Sequence, residues 1–113
     1  MKNTEKEKRI KKETQRLKDV FQELEPNKLK TVDALINRAA FITISLEDLE
    51  VQLNEHGWTD WYENGRNQSG QKKSAAADAH ISLTKNLNAI MKQLLELVPP
   101  EQKGGKLAEM MGK

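Results

Sequence analysis

A chain of 113 residues, 36% hydrophobic and 32% charged, has room for one domain with tails, and its five aromatic residues make a thin core for a monomer. With no cysteine it can build neither a disulfide framework nor a thiolate metal site. The net charge of +2 conceals an asymmetry: residues 1–18 hold eight Lys and Arg against three Glu, or +5, which leaves −3 on the remainder.

The first residues are charged and no apolar run is long enough to span a bilayer, so a soluble, intracellular protein without membrane contact is expected. From Thr4 to Glu25, Ile10, Leu17, Val20, Phe21 and Leu24 follow helical spacing. The stripe is sparse at first and dense at the end. The helix should therefore dock through Leu17 to Leu24 while its basic first half, within a basic arm of residues 1–18, projects or frays, and Pro26 should end it.

Asn27 then reads as the cap of a second helix running to Gly57, whose freedom at φ > 0 suits a helix stop. Leu35, Ala39, Ile42, Leu46 and Leu49 lie on its stripe, Ala39-Ala40 permits close approach of a neighbour, and Phe41 and Ile44 widen the apolar surface. Residues 57–73 form a long connection holding both tryptophans and the sole tyrosine. Asn64-Gly65 favours a tight turn there, so a small β-hairpin beginning with Trp58 to Tyr62 is expected.

Ser74 should cap a third helix carrying Leu87, Met91 and Leu94 on its apolar face, with Pro99-Pro100 as a stop. Residues 101–113 read as a flexible tail, in which Leu107, Met110 and Met111 offer a short docking helix. The expected fold is all-α: a long antiparallel helical hairpin (core, 16–100) preceded by a basic helix. Leu35, Ala39, Ile42, Leu46, Leu49, Leu87, Met91 and Leu94 should form the core and the oligomerisation surface, with the surplus apolar area buried in a homo-oligomer.

Catalytic signals are sparse. His56 and His80 lack partners at a metal-ligand spacing, Glu47, Asp48 and Glu50 read as a solvated helix face, and no phosphate-binding loop of the G-x-x-x-x-G-K-[ST] type is present. No cofactor and no enzyme activity are expected. Nucleic acid is the better-matched partner. Lys6, Lys8, Arg9, Lys11, Lys12 and Arg16 on the arm suit phosphates, and Arg66, Lys72 and Lys73 form a second cluster beside Asn67 and Gln68, which suit base edges.

The order of features from Arg16-Leu17-Lys18 through Ala39-Ala40-Phe41 and Leu46-Glu47-Asp48-Leu49-Glu50 resembles the small terminase subunits of tailed bacteriophages. The resemblance is most specific at Asn54-Glu55-His56-Gly57 and Tyr62-Glu63-Asn64-Gly65-Arg66-Asn67-Gln68, and it continues to Lys85, Leu87, Leu94-Leu95 and Pro99. The chain has Lys73-Ser74-Ala75 where that family often carries Asn-Pro, and its ending, Glu96 to Pro100, also departs. The resemblance implies a ring-forming, non-catalytic subunit in the host bacterial cytoplasm. Such a subunit binds double-stranded viral DNA and the large terminase subunit, which carries the ATPase and nuclease. From the residues alone, a helical interaction protein without DNA specificity and a DNA-binding transcription regulator are the alternatives.

Overall fold

The computed structural model describes residues 4–24, 26–63 and 69–112. These form α1 (Thr4–Val20), α2 (Pro26–His56), β1 (Thr59–Glu63), β2 (Ser69–Lys73), α3 (Ala75–Glu96) and α4 (Lys103–Met111), with a 3-10 turn at Pro100–Gln102 before α4. The fold is mostly helical with one short antiparallel strand pair, in register Thr59↔Lys73 to Glu63↔Ser69. The first strand starts at Thr59, one residue after the expected Trp58.

Local chemistry sets most boundaries. Gly57, at φ 86°, takes the left-handed conformation that only glycine adopts without strain, and its N–H donates to Leu53 O at 2.8 Å to close α2. The Ser74 side chain accepts from the Ala77 N–H at 3.0 Å, the N-cap bond expected for α3.

Two boundaries differ from expectation. Helix α1 ends at Val20, ahead of Pro26, because the chain turns inward there. Phe21, 1% exposed, enters the core, and its N–H reaches both Leu17 O and Lys18 O. Pro26, not Asn27, starts α2; a missing N–H costs nothing in a first helical turn, where that donor has no intrahelical partner.

The core joins Leu17 within α1 and Phe21 just after it, Val32, Ile36, Ala39, Ile42 and Leu46 of α2, and Ile90 and Leu94 of α3. Val98 and Met110 complete it. Ala39 and Ala40 are both fully buried; neighbours on a helix point about 100° apart, so α2 must have partners on two sides. Helices α1 and α3 supply them. Ala39, Ile42, Leu46 and Leu94 thus lie inside the protomer, while Leu35, Leu49, Leu87 and Met91 are half-buried.

Two expectations about the termini are corrected. Over its described residues the basic first half neither projects nor frays: α1 is helical from Thr4 and packs along α2. The tail is not structureless over 103–111: it is α4, docked on α1 and α3. The molecule remains thin, 63 × 33 × 22 Å, with a radius of gyration of 18.1 Å against about 13 Å for a compact chain of this length. Its accessible surface, 8115 Å², exceeds the roughly 6,300 Å² of a compact monomer of this mass.

Candidate nucleic-acid interface

Helix α1 sorts the arm's cations into two sets, and packing does the sorting. On the side facing α2, the Arg9 guanidinium donates to Asp48 Oδ1 at 2.6 Å and Glu47 Oε1 at 2.8 Å. Lys6 lies 3.8 Å from Asp48 Oδ2 and 5.2 Å from the centre of the Phe41 ring. Glu47 and Asp48 are therefore not a plain solvated face: they anchor α1. The hydrogen bond to Asp48, then that to Glu47, holds the Arg9 pKa above its ordinary value.

Arg16 is more fully committed. Its Nε and Nη2 donate to the two Glu13 oxygens at 2.9 and 2.8 Å. Nη1 donates to Glu109 O and Gly112 O at 2.9 and 3.0 Å, and Nη2 also to Met110 O at 2.9 Å. A guanidinium has five N–H donors, and these bonds use all five. The hydrogen bond to Glu13 raises its pKa. A phosphate would have to displace these partners, so Arg16 is a structural cation and not an available DNA contact.

Lys8, Lys11 and Lys12 face the other way and are exposed, as is Lys18. At 3.6 residues per turn these four occupy about a third of the helix circumference and span about 15 Å of its length. Ammonium groups on flexible stems along one such ridge suit a run of phosphates, without sequence preference. Lys18 belongs to this set and is missing from the predicted contacts. Its spacing of seven and six residues from Lys11 and Lys12 is the signal that places it there.

The second predicted cluster lies at the far end of α2. Lys72 and Lys73 are exposed on β2, on alternate faces of the ribbon, and Lys73 Nζ lies 3.6 Å from Asp78 Oδ1. Arg66, Asn67 and Gln68 lie outside the described residues. Because Arg9 sits beside Asp48, the Lys8 end of the ridge is the end nearer the ribbon, with about 12 Å of α2 between Asp48 and His56.

At the base of the ribbon, Glu50 and His80 are brought together across two helices. His80 Nε2 and Glu50 Oε2 are 3.0 Å apart, tying α3 to α2. The Trp58 ring meets the His80 ring edge-on, 5.5 Å between centres at 76°. Spacing along the chain gives no hint of it, since Glu50 and His80 lie thirty positions apart.

Among the described residues, no three His, Cys, Asp or Glu side chains are grouped to hold a metal ion, and no helix is long and apolar enough to cross a membrane. Comparison of the chain with protein-family models, with curated proteins and with solved structures finds no match.

Proposed function

We propose that this chain is a small terminase subunit: a non-catalytic, oligomeric protein of the host bacterial cytoplasm. In this reading it binds phage DNA at the packaging start site and recruits or regulates the large ATPase and nuclease subunit. The observation that carries the DNA part is the outward ridge of Lys8, Lys11, Lys12 and Lys18 on α1. The motif order from Arg16 to Pro99 supports the class. The thin shape, with Phe41 48% and Met111 68% exposed, supports burial of the remaining apolar surface against further copies in a ring.

A second reading, a helical interaction protein whose charges only solubilise it, is favoured by one observation: Lys6, Arg9 and Arg16 are held within the protomer. Light scattering and fluorescence anisotropy on duplex DNA separate the two. The terminase reading expects a closed homo-oligomer that binds duplex with strong salt dependence. A monomer with no duplex affinity at low salt contradicts it and leaves the interaction protein.

A further inference from the structure

Helix α4 is a poor helix by itself. Its nine residues fall short of the roughly 12 to 15 that an isolated helix needs. Gly104 and Gly105 stand in its first turn, no side chain caps its N-terminus, and Pro99-Pro100 interrupt its connection to α3. Of its residues only Met110 is buried. What holds it is therefore specific.

Its C-terminal carbonyls, at Glu109, Met110 and Gly112, all accept from Arg16 of α1. Its own Lys106 in turn donates to Val20 O, the last carbonyl of α1, at 2.8 Å. Each helix thus places a cation on the negative end of the other, in an antiparallel pair. Glu13, with its side chain 11% exposed, grips two nitrogens of Arg16 and aims the guanidinium. Beside this contact lies an apolar groove of about 460 Å³, with Leu17, Leu87, Met91 and Leu95 on the body and Met110 and Met111 on the strap.

We infer that α4 is a strap closed along this groove, that the Arg16 guanidinium is its catch, and that loss of the catch opens the groove without unfolding α2 and α3. The body has its own core, from Val32, Ile36, Ile42 and Leu46 to Ile90 and Leu94, so opening is a local event. Lysine cannot replace the catch. Its ammonium has three donors and no planar fork to span three carbonyls and a carboxylate.

Hydrogen exchange of the full chain, followed over residues 103–112 and 75–96, tests this in the wild type, Arg16→Gln, Arg16→Lys and Glu13→Gln. Arg16→Gln should speed exchange in 103–112 by roughly tenfold or more, because charge-assisted bonds are the strong ones. Arg16→Lys should recover only part of the protection, Glu13→Gln should lose less than Arg16→Gln, and 75–96 should stay protected throughout. A second readout uses the absence of native cysteine: Met91→Cys, on the body side of the groove, is then the only thiol, slow to label alone and fast when combined with Arg16→Gln. Unchanged protection of 103–112 in Arg16→Gln overturns the inference. So does a wild-type segment already exchanging at the unprotected rate, and so does an equal loss across 75–96, which would make Arg16 a general fold residue. None of these outcomes depends on DNA binding.

Discussion

The two sides of α1 carry the same kind of charge and do opposite things with it. Lys6, Arg9 and Arg16 look inward and are bound to Asp48, Glu47, Glu13 and the carbonyls of α4. Lys8, Lys11, Lys12 and Lys18 look outward and are exposed. The arm's +5 is therefore not a measure of what a polyanion can reach. Residue type follows the division: both guanidinium groups, with their planar forks, are spent on fixed geometry, and the outer ridge is all lysine. In the proposed function, a ridge of ammonium groups on a helix fixed by arginines would serve as a mount for weak, repeated phosphate contacts.

The contrast can be broken most severely from the inner side. Leu17→Asp puts a charge where the side chain is 2% exposed, beside Phe21. It should cost more than about 3 kcal/mol and abolish the cooperative thermal transition followed by circular dichroism. Next in size, Lys8→Ala, Lys11→Ala, Lys12→Ala and Lys18→Ala combined should weaken duplex binding by roughly tenfold or more at moderate salt, with the melting curve unchanged.

Leu87 sharpens the same inside–outside distinction on α3. It is half-buried at the groove, whereas Leu94 is fully buried. Leu87→Asp should leave a folded protomer by circular dichroism but shift light scattering toward smaller species, and Leu94→Asp should lose the fold. The smallest effect belongs to Arg9→Gln. It should lower Tm measurably by loosening α1 from Asp48 and Glu47, and leave the salt dependence of DNA binding where it was.

Much of the fold is legible in the sequence because its signals are local. Ser74 caps three residues downstream, Gly57 supplies a positive φ where a helix must stop, and Pro99-Pro100 follow the end of α3. What escaped is long-range. Helix α4 reads as a tail because two glycines and nine residues cannot sustain a helix alone, and the bonds that hold it span 86 to 96 positions. Arg9 meets its carboxylates 38 and 39 positions away, so no i,i+4 rule finds the pair. The candidate site divided likewise. Helical spacing could have separated the outer lysines from the inner cations, but only packing shows which side is inside.

The central claim, that the outer lysines and not the inner cations meet phosphate, is tested most directly by a salt titration. Duplex affinity is measured by anisotropy for the wild type, the four-lysine variant and Arg9→Gln on one DNA. Each phosphate contact contributes about −0.9 to the slope of log affinity against log salt, so the four-lysine variant should flatten the slope by up to about 3.6 per protomer engaged while Arg9→Gln keeps it. A slope unchanged in the four-lysine variant, or one that flattens only in Arg9→Gln, would contradict the account.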